Sequence, residues 1–130
     1  MKLKYTSLII CLILLLTSCG STPQSETSYR QISMTDAISM MEQETDYIIL
    51  DVRTQEEFAS GHIPGAINIP NESIGTAEVP ELPNKDQLIL VYCRSGNRSK
   101  QASAKLAVLN YTNVVEFGGI NSWPGEIVTE

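Results

Sequence analysis

From Tyr29 onward the chain alternates apolar runs with amphipathic stretches. Tyr29 to Ile32 reads as a short strand. Ser33-Met34-Thr35-Asp36 has the form of a capping box and opens a helix with Met34, Ile38 and Met41 on its core face. Tyr47 to Val52 is apolar on both faces until its end, which predicts a buried strand. Thr54-Gln55-Glu56-Glu57 is a second capping-box start, and Gly61 stops that helix. Ala66 to Ile69 predicts a third short strand, and Asn71 to Pro83 a loop holding one helical turn. Leu88 to Cys93 is a continuous apolar run, followed by a helix from Asn97 to Leu109 with Ala102, Leu106 and Leu109 inward and Lys100 and Lys105 outward. Asn113 to Phe117 is the last strand, and Gly118-Gly119 begins a closing turn or helix around a core Trp123. Strands alternating with helices at these lengths predict an α/β domain with a mostly parallel central sheet covered on both faces. Ligands of such sheets bind beyond the carboxyl ends of the strands.

The first 28 residues do not fit that pattern. Lys2 and Lys4 precede an apolar run from Leu8 to Leu16 that is too short to span a bilayer as a lasting helix. Leu16-Thr17-Ser18-Cys19 follows and resembles the lipobox of bacterial lipoprotein signal peptides. That resemblance implies cleavage after residue 18, a diacylglyceryl group on Cys19, and attachment to the extracytoplasmic face of a bacterial membrane. Gly20 to Ser28 is small and polar, a tether that reaches about 30 Å when extended. The folded domain is therefore expected over residues 29–130.

Charge and cysteine content sharpen this picture. The 130-residue chain carries a net charge of −6, which becomes −8 once Lys2 and Lys4 are removed, because every acidic residue lies beyond Cys19. Such an acidic domain, with no basic cluster, is not a nucleic-acid binder. Of the three cysteines, Cys11 leaves with the leader and Cys19 is capped, so Cys93 is left as the one free thiol. With a single histidine and a single free cysteine, no structural zinc site is expected, and no cofactor is implied. Cys93 stands where strand gives way to a polar loop, Arg94-Ser95-Gly96-Asn97-Arg98-Ser99, and a helix start. Amides of such a loop converge, and the helix N-terminus adds positive potential. Lowering a thiol from ~8.5 to ~6.5 raises its thiolate share at pH 7 from roughly 3% to roughly 75%. The pattern points to nucleophilic chemistry at sulfur.

Four separated pieces resemble the single-domain rhodaneses. They are Asp51-Val52-Arg53 with Glu56-Glu57-Phe58, the stretch from Gly61 to Pro70, the loop from Cys93 to Ser99, and Gly118-Gly119-Ile120 with Trp123. The resemblance implies transfer of sulfane sulfur from a small anionic donor such as thiosulfate to a thiol or cyanide-like acceptor. Cys93 would carry the sulfur as a persulfide, cradled by amides from Arg94 through Ser99. Gly96 frees the loop's conformation, while Asp51 and Arg53 support it. Arg94 is either an attractor of the donor or a solvated charge. Arg98 either contacts substrate or fixes the loop through a salt bridge to Asp51 or a nearby glutamate. A carrier that delivers persulfide to a partner, with little turnover, is the alternative function.

Loop length bears on specificity. Phosphatases and arsenate reductases of the same architecture use Cys-x5-Arg, whereas here the spacing is Cys-x4-Arg with Ser99 next. The shorter loop suits one sulfur atom and is tight for a tetrahedral phosphate. His62 invites a Cys–His dyad but is read as tying down the turn from Gly61 to Pro70. Asp51 and Glu57, at a strand end and in a capping box, are read as structural rather than as a catalytic pair.

Overall fold

A computed structural model describes residues 28–130. The leader over 1–18, the lipidation expected at Cys19 and the tether up to residue 27 lie outside the described residues.

Five strands form one sheet: β1 (Arg30–Gln31), β2 (Tyr47–Asp51), β3 (Ile67–Asn68), β4 (Leu88–Cys93) and β5 (Val114–Gly119), in the order β1-β5-β4-β2-β3. All four neighbouring pairs are parallel. Each crossover therefore needs a connecting segment long enough to return along a sheet face. The two edge strands pair over two residues each, which is why they are shorter than the sequence pattern predicts. Three helices connect the strands: α1 (Met34–Gln43), α2 (Gln55–Ser60) and α3 (Asn97–Val108). Single 3-10 turns occupy Asn71–Ser73 and Ile120–Ser122.

Alternation along β4, the central strand, divides the core. Ile89, Val91 and Cys93 pack with Leu50, Val52, Ala102 and Leu106 beneath α3. Leu88, Leu90 and Tyr92 pack with Ala37, Ile49, Val115 and Phe117 beneath α1. Every residue of β4 is buried, so the strand ends in its cysteine with apolar layers on both sides.

Both capping signals mark helix starts, but only the second forms a full capping box. Ser33 accepts from the Asp36 amide at the start of α1. At α2 the box is reciprocal, with Thr54 Oγ1 accepting from the Glu57 amide and Glu57 Oε2 accepting from the Thr54 amide. The inner faces need correction. On α1 the fully buried residue is Ala37, flanked by Met34, Met40 and Met41, and Ile38 lies off that stripe. On α3, Ser99 and Ser103 share the buried face with Ala102, Leu106 and Ala107, while Leu109 is only half-buried. Lys105 is not a free outer charge. Its ammonium donates to the carbonyl of Asn71 at 2.9 Å and to its Oδ1 at 3.0 Å, tying α3 to the 3-10 turn after β3.

Gly118 and Gly119 belong to β5 rather than to the closing turn. Between β4 and β5 the register advances two residues on one strand, Val91 to Cys93, and three on the other, Glu116 to Gly119. This is a bulge, and Gly118, at φ +99°, supplies the conformation it requires. Trp123 is half-buried rather than core, packing at the margin of the α1-side cluster with Nε1 donating to the Glu126 carbonyl.

Candidate functional site

Cys93 sits at the carboxyl end of β4 with only 1% of its surface exposed. The chain then turns through Arg94, Ser95 and Gly96 into α3. Gly96 is the N-cap of α3 at φ +111°, a position no side chain occupies cheaply, and it makes no side-chain capping bond. The helix's first amides are thus left to face the thiol.

The Gly96 amide donates to Sγ at 3.0 Å, and Ser99 Oγ stands 3.4 Å from the same sulfur. Burial alone pushes the thiol up. Donation to Sγ from the Ser99 hydroxyl, when its proton is turned to the sulfur, and from the amides of Ser99, Gly96 and Ser95 outweighs it and holds Cys93 below the ordinary thiol value. Of the loop amides expected from Arg94 through Ser99, those of Ser95, Gly96 and Ser99 bear on the sulfur. The side chains of Arg94, Ser95 and Asn97 are exposed at the rim.

Arg98 is committed elsewhere. Its guanidinium makes a bidentate pair with Glu57, at 2.7 Å to Oε2 and 2.9 Å to Oε1. Of the alternatives open in the sequence, the partner is the glutamate of the α2 capping box and not Asp51. The fork raises Arg98 and draws Glu57 down to about 2, so both stay charged at any physiological pH. Its structural effect is to clamp the first turn of α3 against α2.

Asp51 and Arg53 form a separate, buried pair, with Nη2 and Oδ2 2.6 Å apart. Arg53 also donates to the Gly61 carbonyl at 2.7 Å, and its guanidinium lies over the Tyr92 ring at 5.9 Å. Asp51 is in register with Tyr92, so alternation puts it on the α1 side of the sheet, opposite Cys93. The support these two give therefore goes to the loop after β2, not to the thiol. Asp51 and Glu57, held by different arginines, do not form a carboxylate pair.

His62 ties down its turn. Its Nδ1 donates to the Phe58 carbonyl at 2.8 Å, its ring stacks on Phe58 at 3.7 Å, and its backbone bridges to Val128. The hydrogen-bond partners of Cys93 Sγ are Ser99 and Gly96, and His62 is not among them.

The residue Glu116, and the role of Gly119 beyond its place in the Gly118-Gly119-Ile120 motif, escape a reading of the sequence. Gly119 pairs with Cys93 across the bulge and lies against the backbone of Arg94 and Ser95, so close that any side chain there would collide. Glu116, 3% exposed in β5, accepts from Ser99 Oγ at 2.6 Å and from the Gly118 amide at 2.8 Å. The signal for Glu116 was a lone acid within Val114-Val115-Glu116-Phe117, a charge where the strand should be apolar.

Comparison with known proteins agrees with the α/β fold. The family described as Rhodanese-like domain matches residues 33–126. A sulfurtransferase of Allochromatium vinosum is 42% identical over 79 residues, covering 60% of this chain and 72% of that protein. The thiosulfate sulfurtransferase PspE of Escherichia coli is 37% identical over 71 residues, covering 55% and 68%. The adenylyltransferase and sulfurtransferase UBA4 of Meyerozyma guilliermondii is 35% identical over 119 residues, 84% of this chain. The chain spans only 27% of that relative's length. Among solved structures, a rhodanese-related protein of Thermoplasma volcanium superposes with a TM-score of 0.65 at 33% identity, covering 78% of this chain and all of that one.

Proposed function

The chain belongs to the rhodanese-like family, and from that premise we propose that it is a sulfurtransferase in which Cys93 carries sulfane sulfur as a persulfide. The observation that carries the reading is the convergence of the Ser95, Gly96 and Ser99 donors on one thiol at a strand end. Cys93 as thiolate attacks the outer sulfur of a thiosulfate-like donor. The new S–S bond forms as the donor's S–S bond breaks, and sulfite leaves with the electron pair. The terminal sulfur of Cys–S–S⁻ then needs donors around it, and the loop amides supply them without reorganisation. A cyanide-like or thiol acceptor attacks that terminal sulfur, and the Cys93 thiolate is regenerated.

Ordering of the loop falls to Arg98 through Glu57, leaving exposed Arg94 to attract the anionic donor. The Cys-x4-Arg spacing favours sulfur over phosphate as the transferred group. The reading is tested by steady-state turnover with thiosulfate and cyanide, together with mass spectrometry after donor treatment. The expected result is sustained thiocyanate production and a 32 Da adduct on Cys93, with Cys93→Ser inert. A protein that loads once and stalls is the persulfide carrier instead. Aryl phosphate hydrolysis faster than sulfur transfer would refute the loop-length argument. We further propose, on the lipobox-like Leu16 to Cys19 alone, that Cys19 anchors the protein to a bacterial membrane's extracytoplasmic face.

A further inference from the structure

Glu116 is a buried acid in an apolar strand, on the α3 side of the sheet with Val114 and Cys93. Its Oε1 is anchored by the Gly118 amide at the bulge, so the carboxylate is aimed at Ser99 by backbone geometry. Ser99 Oγ is surrounded by acceptors: Glu116 Oε1 at 2.6 Å, the Gly96 carbonyl at 2.9 Å, the Gly118 carbonyl at 3.3 Å and Cys93 Sγ at 3.4 Å. A hydroxyl has one proton to donate. The carboxylate is the nearest acceptor and the charged one, and charge-assisted bonds are roughly twice as strong as neutral ones. While Ser99 donates to Glu116, it offers Sγ only a lone pair, which favours the protonated thiol as donor. Support for a thiolate requires Ser99 to turn its proton from the carboxylate to the sulfur.

We propose that Glu116 is a positioning residue that restrains ionisation of Cys93 by holding the proton of Ser99. The proposal rests on the reading of Cys93 as the working nucleophile. On ionisation the S–H bond breaks, its proton goes to water, and the Ser99 hydroxyl rotates to Sγ. Of the charged groups around this device, Arg94 follows Cys93 directly and is exposed. Lys100 and Asp36 line, with Glu116, a cleft of about 520 Å³ between the loop and the start of α1. Arg98 acts on Cys93 from α3, itself paired to Glu57 with Glu72 nearby. A buried nucleophile restrained in this way is oxidised more slowly, since reactivity follows thiolate character.

The test is the rate of Cys93 alkylation by neutral iodoacetamide across pH. It is measured on the full chain by following the Cys93 peptide, which separates it from Cys11 and Cys19. Glu116→Gln replaces the charged acceptor by a neutral one of the same shape. It is expected to speed alkylation below the midpoint about fivefold, the equivalent of one net hydrogen bond. In a Ser99→Ala background the same substitution should change the rate less than twofold, because the transmitting hydroxyl is gone. Glu116→Asp, which keeps the charge but draws it back from Ser99, should speed alkylation as Gln does. No acceleration in Glu116→Gln, or an equal factor with and without Ser99, overturns the proposal. The latter result would mean that the carboxylate acts only through space. Alkylation does not require sulfur transfer, so inert wild type with an intact Ser99–Glu116 cycle would count against the transferase reading alone.

Discussion

Replacing Gly119 by alanine probes how tightly the loop after Cys93 is built against β5. Gly119 lies at φ −137°, extended backbone open to any residue, so no conformational strain accompanies the change. What opposes it is space. A Cβ there would fall on the Arg94 carbonyl group and 2.6 Å from the Ser95 nitrogen. These are backbone atoms and cannot rotate away. Restoring van der Waals separation requires the loop or the strand to retreat by roughly 1 Å. The Ser95 amide is one of the three that bear on Sγ, and the Arg94 carbonyl accepts from the Asn121 amide, so the retreat disturbs the cradle itself. Overpacking of this kind costs about 1–3 kcal/mol of stability, and a displacement near 1 Å at a reacting centre costs about 100-fold in rate. Thiosulfate:cyanide turnover and urea unfolding read the two effects separately. The expected result for Gly119→Ala is a fall of about 100-fold in kcat/KM. Gly75→Ala, where a new Cβ meets nothing within 4 Å, serves as the silent control. A Gly119→Ala protein with wild-type kcat/KM and an unchanged unfolding midpoint would refute the close-packing argument.

Glu57 is drawn from 4.5 down to about 2, chiefly by Arg98, against the opposing effect of burial and with help from the Thr54 amide. The stability it contributes is therefore complete above 4.5 and lost as pH falls through 2. Because the clamp is partly exposed, Glu57→Gln should remove only about 1 kcal/mol of acid-sensitive stability across that window, measured by unfolding at stepped pH. His62→Ala removes a hydrogen bond and a ring stack on Phe58. It should cost about 1–2 kcal/mol in unfolding free energy, with turnover by the folded protein unchanged. A folded but inert His62 variant would show that the thiol has a base after all. Cys19→Ala should move the protein out of the membrane fraction, checked by fractionation and mass spectrometry of the mature N-terminus.

The parts of the fold legible in the sequence are those whose causes are local. The reciprocal box at Thr54 and Glu57 involves residues three apart, and the thiol at the end of Leu88 to Cys93 is set by one apolar run. Partners distant in the chain were not fixed in this way. Arg98 could be assigned a salt bridge from its loop position, but the choice of Glu57, 41 residues away, depends on α2 and α3 meeting in space. The resemblance gives Asp51 as a supporting residue of the loop, and its place at a strand end offers it as a partner for Arg98. The register Asp51↔Tyr92 then sends it to the other face, one residue out of phase with the thiol.

Parity also puts Glu116, in register with Val91, on the Cys93 side of the sheet. Without the bulge, β5 would carry the ladder past Cys93 with one residue fewer. The extra residue at Gly118 both presents an amide to the carboxylate and brings Gly119 against the loop. Local preference opposes an acid at this point in an apolar strand, and the fold accepts it only because Ser99 and Gly118 satisfy it. Conflicts between local pattern and global structure concentrate at working sites. Here the conflict falls on a hydroxyl 3.4 Å from Cys93 Sγ. An acid kept there for structure alone could be exchanged for a neutral hydrogen-bonding residue without any change in sulfur's reactivity. An acid kept there to hold the Ser99 proton could not.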